Sequence, residues 1–140
     1  MAYTEVRYSP QLLAGEPEGL SATAVVDAVT AGLRRGCEKH DVWVNQILCC
    51  IALNYEWSPE VADIAIARHG KAPCGVVGID IAAGEQHFEE AIEKKTANRH
   101  GASIARAREA GLGVTIHAGE TGGVEHIRQA LAAPLCATVG

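Results

Sequence analysis

Apolar positions along the chain follow two periods that take turns. Ala2 to Tyr8 alternates strongly and stops at Ser9-Pro10, which predicts a strand followed by a loop. Ser21 then offers an N-cap, and Ala22, Val25, Val26, Val29, Leu33 and Cys37 recur at helical spacing to about His40. Val42 to Leu53 is apolar and β-rich around Ile47-Leu48-Cys49-Cys50-Ile51, a buried strand. Ser58-Pro59-Glu60 places proline at the first helical position, and Val61, Ile64, Ala65 and Arg68 carry that helix to Gly70. Gly75 to Ile81 reads as another buried strand, ending in Ala82-Ala83-Gly84-Glu85. Gln86 to Gly101 has no clear period; Glu90 and Lys94 stand at i,i+4 spacing, as on a solvated face. Ser103 to Ala110 predicts a helix closed by Gly111 and Gly113. Val114-Thr115-Ile116 is a short strand that delivers His117. Val124, Ile127 and Leu131 mark a last helix broken by Pro134, and Cys136 to Gly140 reads as the start of a strand.

Strand and helix therefore alternate, with five strands and four intervening helical segments. No linker or low-complexity tract divides residues 1–140, which predicts one domain. Apolar strands alternating with helices imply a parallel sheet covered on both faces. Two architectures satisfy this: an open doubly wound sheet and a portion of a (β/α)₈ barrel. In both, functional residues gather beyond the C-terminal ends of the strands. Arg7, Asp80, Glu85, His117 and Glu120 all fall at or near such ends. Glu5 and Arg7 share one face of the first strand, and the simpler expectation there is a solvated face.

Composition narrows the partners. A net charge of −5 argues against a nucleic-acid backbone or an acidic membrane surface, and an aromatic content of 4% leaves little for base stacking. No apolar run is long enough to span a bilayer, and the N-terminus lacks a signal-peptide pattern, so the expectation is a cytoplasmic protein. The five cysteines contain no C-x-x-C pair, and Cys49-Cys50 is expected to pack as small hydrophobes. His40 and His69 are placed near helix ends, and His87, His100 and His126 are expected to be exposed. Neither a phosphate-cradling glycine motif nor a G-x-S-x-G elbow is present. Gly119, Gly122 and Gly123 precede a helix, where a plain turn is the expected reading over an anion site.

The chemistry is concentrated in His117-Ala118-Gly119-Glu120. An imidazole can bind a metal or move a proton, a carboxyl can act as acid or base, and Gly119 permits a sharp turn between them. The competing reading is a structural histidine beside a solvated glutamate. A catalytic zinc takes about three protein ligands and an open position, and spacing offers only His117.

Four stretches, in order, resemble the adenosine deaminase family: Tyr3-Thr4-Glu5-Val6-Arg7-Tyr8-Ser9-Pro10 with Leu12-Leu13, Ile47-Leu48-Cys49-Cys50, Gly78-Ile79-Asp80-Ile81-Ala82-Ala83-Gly84-Glu85, and His117-Ala118-Gly119-Glu120. The resemblance covers essentially the whole chain. It implies a (β/α)₈ TIM barrel, entered at about strand 2 and left at the start of strand 6. Residues 1–140 would then be a single incomplete barrel domain. It also implies zinc-dependent hydrolytic deamination of adenosine and 2′-deoxyadenosine to the inosine product and ammonia. His117 matches a zinc ligand, and Glu120 matches the acid that protonates N1 of the purine. Such an acid must hold its proton at working pH, which burial against the substrate favours. Ala83 stands where the family has a glycine whose backbone N–H meets the purine, and Gly84 follows it to relieve the turn. Gln11 stands where family members commonly carry histidine. The remaining zinc ligands and the catalytic histidine match nothing between Met1 and Gly140. The chain is therefore expected to be an inactive internal fragment of an active enzyme. Two alternatives are a non-catalytic purine-binding or interaction module of the same fold and an unrelated open α/β protein. Adenine- and AMP-directed deaminases share the His-Ala-Gly-Glu theme.

Overall fold

A computed structural model describes residues 2–15, 19–70, 73–84, 100–132 and 138–139. Glu85, the Glu90/Lys94 pair, His87, Pro134 and Cys136 lie outside them. The strands are β1 (Ala2–Tyr8), β2 (Val42–Ile51), β3 (Val76–Ala82), β4 (Gly113–Ile116) and β5 (Thr138–Val139). The helices are α1 (Pro10–Leu13), α2 (Ala22–His40), α3 (Ser58–Arg68), α4 (Gly101–Glu109) and α5 (Val124–Ala132).

Every strand pairing is parallel, and the spatial order β1-β2-β3-β4-β5 is the chain order. A doubly wound sheet reverses its strand order at a switch point and carries helices on both faces. Here the order runs straight through. Leu48 and Cys50, Ile79 and Ile81, and Val114 and Ile116 pack in one core with Val26 of α2, Val61 and Ala65 of α3, Ile104 of α4 and Ala130 of α5. These strand residues are two apart, so they share one face of the sheet. The expected helical cover on both faces is thus corrected. Helices cover one face, and the other, bearing Cys49, Asp80 and Thr115, is the lining of a barrel. The chain forms a portion of a (β/α)₈ TIM barrel.

Local chemistry explains the element ends. The Ser21 hydroxyl accepts from the Ala24 N–H at 3.2 Å, a cap worth about 1 kcal/mol. A 3₁₀ turn, Tyr55–Trp57, leads into Ser58 and Pro59. Gly111, with φ +91°, closes α4 as expected. Gly113 does not cap that helix; it opens β4, pairing with Gly78, because hydrogen bonding to β3 already begins there. Buried Gln46 faces α2, and both ends of its amide are used. Tyr8 donates to Oε1 at 2.6 Å, while Nε2 donates to Thr30 Oγ1 at 2.8 Å and to the Cys74 carbonyl at 2.6 Å.

Two histidines expected at the surface are buried. His100 is 3% exposed, with Nδ1 2.7 Å from Ser58 Oγ and Nε2 3.2 Å from the Ala52 carbonyl oxygen. It immediately precedes α4 and joins the end of β2 to the start of α3. His126 is 6% exposed. Its ring occupies space beside Gly122 that any Cβ there would take. Among the described residues, no helix is long and apolar enough to cross a membrane.

Candidate active site at the strand ends

The strands end level with one another. The Ala52 N–H bonds the Ala82 carbonyl at 2.9 Å, and the His117 N–H bonds the Ile81 carbonyl at 3.0 Å, extending each ladder just past its strand. Four consecutive strands each send one side chain from this region to the helix-free face: Arg7, Cys49, Asp80 and His117.

Asp80 is their hub. Its neighbours in sequence, Ile79 and Ile81, pack against helices, so strand alternation turns its carboxyl the other way. The side chain is fully buried, yet two polar side chains reach it from two directions. Arg7 Nη1 lies 3.3 Å from Oδ2, and His117 Nδ1 lies 3.0 Å from Oδ2 and 3.3 Å from Oδ1. Cys49 Sγ is 3.6 Å from Oδ2. Burial pushes the Asp80 carboxyl above its ordinary range, while His117 and Arg7 pull it back.

This geometry decides which edge of His117 faces a ligand. A carboxylate can only accept, so the contact with Asp80 puts the ring proton on Nδ1 and leaves the lone pair on Nε2. A histidine that binds a metal is commonly oriented in this way by a second group. The donor chemistry of His117 therefore fits a zinc ion. Among the described residues, no group of three or more His, Cys, Asp or Glu side chains is placed to hold a metal.

The remaining expectations divide. Arg7, expected on a solvated face, is exposed and also reaches Asp80. Glu5 does stay exposed, accepting from the Tyr3 hydroxyl at 2.6 Å. Glu120 lies exposed in the turn after His117, so the cover implied for its carboxyl is not provided by the described residues. Gly119, with φ +89°, needs its missing side chain: a Cβ would come within 2.8 Å of Ile127 Cδ1. Cys49 and Cys50 are buried, and burial raises their thiols to about 12 and about 11, so they behave as small hydrophobes and not as reactive thiols. Asp80 stands at a strand end in the sequence, where no local motif gives it a role. Its signal was an aspartate inside an apolar strand.

Ala83 and Gly84 follow β3 with φ +69° and +80°. A left-handed backbone suits Gly84 and strains Ala83, whose Cβ crowds its own carbonyl. Ala83→Gly is expected to raise stability by about 1 kcal/mol, since the strain relieved exceeds the added entropy of the unfolded chain. Urea unfolding of the two chains checks this; a lower midpoint for the glycine variant would show that Ala83 is not strained.

Comparison with known proteins agrees with the barrel topology. A family model described as Adenosine deaminase matches residues 1–138. The adenosine deaminase of Rattus norvegicus is 36% identical over 142 aligned residues, which cover 94% of this chain and 38% of that protein. Among solved structures, the adenine deaminase of Arthrobacter aurescens superposes with a TM-score of 0.75 at 25% identity, covering 98% of this chain and 38% of that one. Arabidopsis ADAL complexed with GMP shares the fold, with a TM-score of 0.77 at 21% identity, covering 99% of this chain and 39% of that one. The chain thus spans less than two fifths of the length of each of these relatives. With barrel topology, the histidine–aspartate contact at the strand ends and a match over nearly its whole length, the chain belongs to the adenosine deaminase family.

Proposed function

We propose that this chain is part of a zinc-dependent hydrolytic deaminase acting on adenosine and 2′-deoxyadenosine, and that residues 1–140 form a single incomplete barrel domain, inactive alone. The observation that carries the proposal is the Asp80–His117 contact, which turns the Nε2 lone pair of a strand-end histidine outward as a metal ligand needs. His117 is one zinc ligand. A zinc ion held there would supply the Lewis acidity that makes water a nucleophile near neutral pH. Glu120, three residues further along the same turn, hands a proton to N1 of the purine, drawing electrons away from C6 where water adds. The added water gives up its two protons, one to the amino group, which leaves as ammonia, and one to restore Glu120. Ala83 and Gly84 present backbone to the purine edge. Arg7 helps hold Asp80 in place, and Asp80 fixes the ring of His117. The protein works in the cytoplasm on a small nucleoside, with neither nucleic acid nor membrane as partner.

The test compares this chain with a version extended by its flanking sequence, following adenosine absorbance with zinc present. Turnover by the extended protein and none by the 140-residue chain is expected. Equal rates would overturn the inactivity of the chain alone, and an inert extended protein would overturn the enzyme reading. The competing reading is a non-catalytic purine-binding module of the same fold. Adenosine binding without turnover by the extended protein would select it.

A further inference from the structure

A second pair of side chains lies at the opposite end of the sheet, where the chain enters β3. Cys37, in the last turns of α2, and Cys74, two residues before β3, hold their sulfurs 3.5 Å apart. A disulfide needs about 2.05 Å, a gap that small side-chain rotations can close. Hydrogen bonds hold the backbone around Cys74 in place. Arg34, one turn before Cys37 on α2, donates from Nε to the Pro73 carbonyl at 3.3 Å. Gln46 holds the Cys74 carbonyl from the other side, and the Gln46 N–H bonds the Gly75 carbonyl at 2.9 Å. Cys74 itself has φ +66°, a left-handed conformation that a non-glycine residue keeps only when its surroundings impose it. A cavity of about 380 Å³ lined by Asp27, Arg34, Arg68, Cys74 and Gly75 adjoins the pair.

We propose that Cys37 and Cys74 are a reversible redox pair, closed to a disulfide by low-molecular-weight disulfides, which staples α2 to the segment entering β3. Exposure assigns the roles. Cys37 is half-buried and can be reached, whereas Cys74 is buried. The Cys37 thiolate attacks a sulfur of the small disulfide, forming a mixed disulfide and expelling one thiolate. Cys74 gives up its proton and attacks the Cys37 sulfur, breaking the mixed bond and expelling the second thiolate. Two protein thiols lose two electrons, one small disulfide gains them, and the two released protons end on the two small thiols. Burial, then the hydrogen bond to Cys37, raises the Cys74 thiol to about 11, so the second step quickens as pH rises toward that value. Reduction by a dithiol reopens the pair.

The test is to incubate the chain with oxidised glutathione, digest it without reductant and map the linked peptides. A Cys37–Cys74 linkage is expected, with Tm higher by about 10 °C as the closed loop restrains the unfolded chain, and with reversal by dithiothreitol. Cys37→Ser removes both linkage and shift, and Cys74→Ser leaves glutathione on Cys37. A lasting glutathione adduct on Cys37 of the unsubstituted chain, or linkage to Cys49, Cys50 or Cys136 instead, would overturn the proposal. Since Cys37 is half-buried on a helix, C37S keeps the test usable even if the buried Cys74 does not tolerate serine.

Discussion

His117→Ala in the extended, zinc-loaded protein is expected to release the metal and lower adenosine turnover by at least about 10³-fold, the scale on which a metal-activated nucleophile is lost. The more discriminating variant is Asp80→Asn. Its amide oxygen can still accept from His117 Nδ1–H, so the ring keeps its direction, but the negative charge that makes Nε2 a stronger donor is gone. Zinc affinity should fall by about 10- to 100-fold, with part of the activity restored by excess zinc. Competition against a chromophoric chelator measures the first effect and a zinc titration of activity the second. Unchanged affinity in D80N would mean that the 3.0 Å contact orients nothing the metal uses.

The largest stability effect is expected at His100. His100→Ala removes a partner from the buried Ser58 hydroxyl and from the part-buried Ala52 carbonyl and opens a void where three elements meet. Each unmet buried group costs about 1–3 kcal/mol, so a total loss of about 3 kcal/mol or more is expected. Urea unfolding measures it, and a loss below about 1 kcal/mol would show that water replaces the imidazole without penalty. The same histidine should make the chain acid-sensitive. Burial holds the His100 imidazole below its ordinary value, whereas in the unfolded chain it titrates near about 6.5. As pH falls through that value the unfolded state takes up a proton that the folded state refuses. Stability therefore declines from about pH 6.5 down toward the lowered folded value, and above that window His100 adds no pH dependence. The difference between the unsubstituted chain and H100A isolates this contribution from that of the other histidines.

These two histidines also show what could be read from sequence. His117 follows a β-branched run and precedes glycine, so a local pattern marks it. His100 lies at the end of a stretch with no period, and its partners are 48 and 42 residues away, at Ala52 and Ser58. No window of sequence contains that contact, so it was read as exposed. Arg7 is a similar case: on one strand its charge resembles any solvated residue, and only the neighbouring strands bring Asp80, 73 residues on, within reach. Most strand and helix positions were legible because alternation and capping are local, but the helix α1 (Pro10–Leu13) stands where a loop was expected. The choice between barrel and open sheet was not, since strand order is a property of pairing and not of any one strand. There the family resemblance supplied what periodicity alone left open, and the sequential sheet agrees with it.

The arrangement around Asp80 also has a meaning for assembly. Its contacts depend on β1, β2, β3 and β4 all being in register, because a slip of one residue in any pairing would turn a partner to the helical face. The cluster therefore works as an alignment gauge. The His117 ring can meet Asp80 only after the β3–β4 ladder has settled, and Arg7 can do so only after β1 and β2 have. An imidazole resonance followed during refolding would thus report when the strands have found their partners, ahead of any chemistry the site performs.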